Sequence, residues 1–444
     1  MRNFIGIEEK PPLISLILYG VQHVLAMFAG IVAVPLMVGA AMKLPADQMT
    51  ILVQGALLTS GIGTLVQCIG IGSLGARLPI CMGTAFVFIS PFISIGTQLG
   101  IQAIFGAAIV GGIIEYIFSF FVWRVQRLFP PVVTGTVVIL IGVGLMPLGF
   151  TWLAGGHGDL FGQPISFAIG VLVLVTLILI NQFTKGFLPT ISVVIAISTG
   201  YLAAGAAGIL DLGAVSVSEW IAFPNVFAFG IPTFSLPAIF AVLVAQLASM
   251  LETVGDTYAT GIAARKPIGR RELAGSISVD GLMSALATLF NGLSLTSFSQ
   301  NIGVITITQV ASRFAVAAGG VVLIVLGLVP KFAALVAAMP APVLGGAALV
   351  MFGAIMGSGI SQIREMPEFG QREIMILAIS IALGMGFGMH PEGSLDKLPA
   401  FLAVILKSGV AVGGITAIIL HKVLPHEQLE HKQSRIDKRV VDSK

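Results

Sequence analysis

Leu293-Ser294-Leu295-Thr296-Ser297-Phe298-Ser299-Gln300-Asn301-Ile302-Gly303-Val304-Ile305-Thr306-Ile307-Thr308 follows an Asn291-Gly292 turn and lies among long apolar segments. Side chains alternate as in a strand up to Ser299, and from Ile302 the run is apolar with helical character. Between them Ser299, Gln300 and Asn301 form a polar break that leaves backbone groups unpaired. At membrane depth such backbone is tolerated only where it is packed in protein or lines a cavity. A strand-to-helix junction there turns helix N-terminal N–H groups toward whatever fills that cavity. The stretch reads as half of a binding site.

The rest of the chain sets that depth. Of 444 residues, 56% are hydrophobic and 10% charged, too little polar surface for a soluble protein of this size. Apolar runs long enough to cross a bilayer fall at 13–38, 49–71, 79–97, 101–122, 130–150, 164–182, 186–208, 236–261, 273–290, 293–309, 313–329, 342–359, 372–389 and 399–421. The expectation is an all-α polytopic membrane protein with fourteen transmembrane segments. The third is interrupted by Pro79, Gly83 and Pro91, and the tenth by the break above.

Basic residues set the orientation, because short Lys- and Arg-rich loops stay cytoplasmic. With the N-terminus inside, nineteen of the 23 basic residues are cytoplasmic, six of them in a charged tail at 422–444. Lys43, Lys331 and Lys397 fall outside and Lys407 within the last span. The net charge of +3 is therefore topogenic and does not point to nucleic acid. Cys68 and Cys81 lie in apolar surroundings and are expected as free buried thiols. Met1 to Pro12 lacks a cleavable signal pattern, so the expected location is the cell (inner) membrane with both termini cytoplasmic.

An internal repeat runs through the chain. Gln22-His23-Val24-Leu25-Ala26-Met27-Phe28-Ala29-Gly30 echoes Gln246-Leu247-Ala248-Ser249-Met250-Leu251-Glu252, and Pro130-Pro131-Val132-Val133-Thr134-Gly135 echoes Pro340-Ala341-Pro342-Val343-Leu344-Gly345. Members of each pair are seven spans apart, an odd number, so the halves cross in opposite senses. The first repeat is 1–208, an extracytoplasmic connector 209–235, and the second repeat 236–421. Small-residue spacings such as Gly106-Ala107-Ala108-Ile109-Val110-Gly111-Gly112 are read as helix packing.

Ionisable residues inside spans are costly and are functional candidates: His23, Glu115, Glu252, Asp256, Asp280 and Lys407. Glu252 and Asp256 are one helical turn apart and share a face. Two carboxyls held close in low dielectric do not both ionise readily, which suits a proton-coupled site; the competing reading has one of them pair with Lys407 or cap a broken span. Glu115 and Lys407 read as a salt bridge or as side chains snorkelling to the lipid edge. Cys81-Met82-Gly83-Thr84-Ala85-Phe86-Val87-Phe88 in the third span is strand-like, and two short strands pairing across a pseudo-twofold satisfy each other's backbone.

Gln300-Asn301-Ile302-Gly303 with Thr308 resembles the signature of the nucleobase–ascorbate transporter family, the nucleobase:cation symporters, in which Asn-x-Gly-x-x-x-x-Thr is followed by Arg, Lys or Gly. Here that last place holds Gln309. With His23, Phe86, Glu252, Asp256 and Asp280, the resemblance extends from about residue 12 to 421. It implies a core domain of spans 1–4 and 8–11, a gate domain of spans 5–7 and 12–14 that carries a homodimer contact, and alternating access. It implies that Glu252 hydrogen-bonds the base, that Asp256 serves cation coupling, that Asp280 supports the site, and that His23 and Asn301 belong to its polar framework. Phe86 matches the position flanking the base, although an aromatic there also serves plain packing, as does a lone buried histidine.

A planar oxopurine alternates N–H donors with C=O acceptors. A carboxylate that accepts two ring N–H bonds and an amide that gives one donor and one acceptor are complementary to it. Glu252 and Gln300 supply that pair, with N–H groups near Phe86 and Ser299 completing it. By the resemblance, glutamine at 300, where uracil-type members carry Glu, favours xanthine or uric acid, with a symporter of uracil or another nucleobase as the alternative. The expected activity is import of an oxopurine by cation symport, with H+ or else Na+ as coupling ion and no cofactor or metal. An inorganic-anion carrier of the same fold needs a cationic site, and no Lys or Arg is expected near the two broken spans. An intramembrane enzyme needs a nucleophile–base pair or a metal-ligand cluster, and neither pattern occurs in the spans.

Overall fold

The computed structural model describes residues 4–125, 130–156, 158–364, 366, 369–391, 393–395 and 397–425. Most of the 422–444 tail lies outside the described residues, as do Arg2 and Arg127 of the basic set.

The first half runs α1 (Leu13–Ala41), α2 (Ala46–Ile69), β1 (Met82–Thr84), a 3-10 turn Phe86–Phe88, α3 (Ile89–Leu99), α4 (Ile101–Ser119), α5 (Val122–Val125), α6 (Pro131–Leu153), α7 (Pro164–Phe183) and α8 (Ser192–Ala206). A connector carries α9 (Gly213–Val217). The second half runs α10 (Leu236–Ala263), α11 (Arg270–Ala287), β2 (Leu295–Ser297), α12 (Gln300–Thr308), α13 (Arg313–Gly327), α14 (Pro330–Ala337), α15 (Ala341–Arg364), α16 (Gln371–Gly388), α17 (Ala400–Lys407) and α18 (Gly409–Val423). Among the described residues, ten helices are long and apolar enough to cross a membrane, or eleven if α13 and α14, bent by 84°, count as one. The protein is a multi-pass, mostly helical membrane protein.

Past the end of the 313–329 run, Pro330 starts α14 in a new direction, since proline cannot donate to the preceding turn. One further run that reads as a continuous span, 399–421, is broken. Ser408 separates α17 from α18 and caps α18, its hydroxyl accepting from the Ala411 amide at 3.3 Å. A 3-10 turn at Leu188–Ile191 precedes α8.

Glycine sets the closeness of the helices. A Cβ added at Gly20 of α1 would lie 2.5 Å from the Gly319 nitrogen of α13, and one at Gly345 of α15 would lie 2.0 Å from the Leu153 nitrogen of α6. Backbone contact of this kind gains dispersion energy along whole helix faces without needing a hydrophobic drive that lipid does not supply.

β1 and β2 pair antiparallel, Met82 with Ser297, Gly83 with Thr296 and Thr84 with Leu295. Strands of three residues do not hold by themselves, so their ends are clamped. The Met82 amide donates to the Thr64 hydroxyl at 2.9 Å, and the Leu295 amide to the Ser284 hydroxyl at 2.9 Å. The Phe298 ring fills the space that side chains at Gly30 and Gly83 would need, 2.8 and 2.6 Å from the built Cβ positions. The helix after β2 begins at Gln300, two residues before the apolar run, because Ser299 is already in the helical region at φ −63°, ψ −28°.

Two straps close the bundle. Connector residues are fastened by Asn291, whose side chain accepts from the Ala228 amide at 2.8 Å and donates to the Asn225 carbonyl at 2.7 Å. The N-terminal segment runs beside the end of α12, with the Ile5 amide donating to the Gln309 carbonyl at 3.0 Å and the Ala311 amide to the Ile5 carbonyl at 2.8 Å. Gln309 has φ 60°, a left-handed helix end for which glycine is the usual residue. Cys68 and Cys81 are free and buried.

Candidate binding site at the paired strand breaks

The eight residues singled out in the sequence lie on five elements that meet at the strand pair: α1, the β1 junction, α10, α11 and the β2 junction. They fall into two layers by exposure. Glu252 and Phe86 are half-buried, and Ser299 and Gln300 are exposed; His23, Asp256, Asp280 and Asn301 are buried.

The buried layer is hydrogen-bonded across elements. Thr253 of α10 donates to Asp280 of α11 and lies 3.2 Å from the Thr296 hydroxyl. Ser297 of β2 reaches Thr253 at 3.0 Å and donates to the Asp256 carboxylate at 3.1 Å. The amide nitrogen of Asn301 donates to the Pro79 carbonyl, which fixes the start of α12 to the entry of the other broken span. His23 stands beside Asn301, and its Nδ1 has no hydrogen-bond partner among the described residues.

The open layer faces space. The Glu252 carboxylate makes no hydrogen bond among the described residues, and it interacts electrostatically with Asp256 and Asp280. Cβ atoms built at Gly255 of α10 and Gly303 of α12 meet nothing within 4 Å, so free volume runs along both helices beside Glu252 and Gln300. The amides of Phe86, Val87, Ser299 and Gln300, at the two strand-to-helix junctions, reach no acceptor among the described residues. Junction amides of this kind are ready donors for carbonyl or anionic groups. The Phe86 ring packs edge-on against Phe352 of α15, centroids 6.4 Å apart.

Two expectations are overturned. Lys407, with Phe86, Val87 and Ser90 of the third span and Leu140 of α6, lines a cavity of about 60 Å³. A cation therefore does stand near a broken span, at the end of α17 just before the break at Ser408. Glu115 forms no salt bridge among the described residues and does not snorkel; it is buried on α4 and accepts from the Gln246 side chain. Sequence reasoning missed Ser297 and Thr253 as organisers of the acids. Their signal was a strand alternating small hydroxyls opposite a helix that carries Glu252 and Asp256.

The chain matches the model of a permease family over residues 14–393. It is similar to the uric acid permease PucK of Bacillus subtilis (36% identical, covering 95% of this chain and 98% of that one). It is also similar to the xanthine permease XanP of Escherichia coli K12 (33% identical, 95% and 94% covered). Among solved structures it resembles the transmembrane domain of a cyanobacterium bicarbonate transporter, BicA, with a TM-score of 0.63 at 15% identity, covering 93% of this chain and 100% of that one. At that identity the likeness speaks for the fold. The extent of the family match and the level of identity to these permeases place the chain, a permease and not an enzyme, in the nucleobase–ascorbate transporter family.

Proposed function

We propose that the protein imports an oxopurine, xanthine or uric acid, by cation symport with protons, the base lying between Glu252 and Gln300. The observation that carries this is the pairing of an open carboxylate with four acceptor-free amides at the two strand-to-helix junctions. Glu252 accepts ring N–H bonds, Gln300 offers one donor and one acceptor, and the junction amides take the exocyclic carbonyls. A site built to satisfy such bonds rejects molecules that leave it unpaired. His23, Asp256, Asp280 and Asn301 hold the frame.

In this reading the fourteen segments form two inverted repeats, 1–208 and 236–421, joined by the connector 209–235. Spans 1–4 and 8–11 form the core, and spans 5–7 and 12–14 the gate and homodimer contact. The β1–β2 pairing and the packing of α6 on α15, which bring matched stretches of the two halves together, support that scheme. The protein works in the cell (inner) membrane with both termini cytoplasmic. Grouping of the N-terminal strap with Arg265 and Arg313 on one side, Arg265 over the Phe4 ring and Arg313 on Glu8, supports the orientation.

Lys407 favours a second reading, an anion carrier. Urate is itself an anion, so the same lysine fits the first reading too. Uptake of labelled xanthine, competed by a panel of oxopurines and by bicarbonate, with and without a protonophore, tests both. Competition by oxopurines that a protonophore abolishes supports purine symport; competition by bicarbonate alone overturns it.

A further inference from the structure

Glu115 has no part in the site above, yet it is 2% exposed in the middle of the bundle. Its place is set by a close crossing of α4 and α11. A Cβ at Gly281 would lie 2.4 Å from the Tyr116 nitrogen and 2.6 Å from the Gly112 carbonyl oxygen. Glu115, one residue before Tyr116, and Asp280, one before Gly281, are thereby brought together, and their carboxyls interact electrostatically.

The third wall is α10. Gln246, Ser249 and Thr253 recur at helical spacing on one face, all buried. Gln246 donates to one Glu115 oxygen and Thr253 to one Asp280 oxygen, with Ser249 on the turn between. Four buried oxygens remain without a partner among the described residues: Glu115 Oε1, Gln246 Oε1, Ser249 Oγ and Asp280 Oδ1. Three of the four can only accept, and a low-dielectric interior does not leave acceptors together without a donor or a cation. The other titratable groups facing this place are acids: Asp256, linked to it through Thr253 and Ser297, and Glu252, which interacts electrostatically with Asp280. Arg270 and Arg271 stand at the start of α11, about 15 Å along the helix from Asp280.

We propose that Glu115 and Asp280, with Gln246 and Ser249, form a second site that holds the coupling cation, a proton on one of the two carboxyls, away from the substrate. The proton enters as H+, leaves as H+, and while bound supplies a second donor beside the Ser249 hydroxyl for the three oxygens that can only accept. The Thr253 and Ser297 hydroxyls connect it to Asp256. This rests on the symport reading above and locates its ion.

The test uses the full chain, wild type and Glu115→Gln, in liposomes with labelled xanthine under an imposed pH gradient and, in a second arm, a sodium gradient. Wild type is expected to accumulate label with the pH gradient, about tenfold per unit for each coupled proton. Glu115→Gln is expected to lose that accumulation while exchange of labelled for unlabelled xanthine stays within about twofold. Accumulation by the variant equal to wild type overturns the proposal, as does loss of exchange together with accumulation in folded protein. Accumulation driven by sodium alone also overturns it. A wild type that exchanges no xanthine sinks the functional reading instead. If Glu115→Gln does not fold, Glu115→Asp must shift the pH at which uptake is halved; an unmoved profile overturns the proposal.

Discussion

The Ser297 hydroxyl donates to the Asp256 carboxylate at 3.1 Å, and by that bond the strand of one broken span is tied to the helix that carries Glu252. Ser297 also reaches Thr253, which holds Asp280. Protonation of Asp256 turns this charge-assisted bond from Ser297 into a weaker neutral one. The strand pair that supports the open amides is thus in contact with the charge state of the acids.

Glu252→Gln replaces a double acceptor by one acceptor and one donor. Uptake efficiency is expected to fall about a hundredfold or more, on the order of 3 kcal/mol for bonds to a charged group. Labelled uptake, normalised to the amount of protein in the membrane, checks it; wild-type uptake would remove Glu252 from the site.

Gln300→Glu changes one amide donor into an acceptor on an exposed position at the start of α12, so folding is expected to be little affected. The ranking of oxopurine competitors should change more than expression does. An unaltered ranking means that Gln300 faces away from the ligand.

If a proton on the Asp256 acid cluster reduces carboxylate repulsion toward a neutral or singly ionised purine, raising external pH removes that proton, so uptake falls as pH rises. Asp256→Asn should lose accumulation against a gradient more than it loses exchange. Uptake that follows sodium at fixed pH and survives a protonophore would replace the proton by sodium as the coupling ion.

Lys407→Met removes one positive charge from the cavity that Phe86 lines. The KM for urate is expected to rise about tenfold, since a charge several ångströms away acts at intermediate dielectric, and the KM for neutral oxopurines much less. Equal rises for both would assign Lys407 to packing.

Gly281→Ala places a methyl 2.4 Å from the Tyr116 nitrogen, a backbone atom that cannot swing aside. The crossing of α4 and α11 must open, at a cost of about 1–3 kcal/mol. Thermal melting in detergent should show a lower midpoint than wild type.

Much of this was legible because polar interruptions in an apolar chain are conspicuous. Ser299, Gln300 and Asn301 announced one strand break, and Pro79, Gly83 and Pro91 the other, and the paired strands lie at both. The break at Ser408 was hidden, since apolar residues on both sides carry a hydropathy window straight across it. Lys407 therefore looked like a charge inside a continuous helix. The partnership of Glu115 with Gln246 joins residues 131 apart in sequence, and no periodicity reports such a contact. The run Gly106 to Gly112 read as packing alone, yet the closeness it permits at Gly112 is what brings an acid on α4 to an acid on α11.

Because β1 pairs with a strand about two hundred residues later, half of the open amides have no frame until the second half of the chain has been inserted. During synthesis the Phe86 junction must wait in the membrane with its polar backbone covered by something else, such as lipid headgroups, the insertion machinery or neighbouring helices. Biogenesis of this protein is therefore most vulnerable between completion of α3 and arrival of β2. Two fragments divided in the connector and made in the same cell should restore one working carrier, whereas either fragment alone has nothing with which to close its strand.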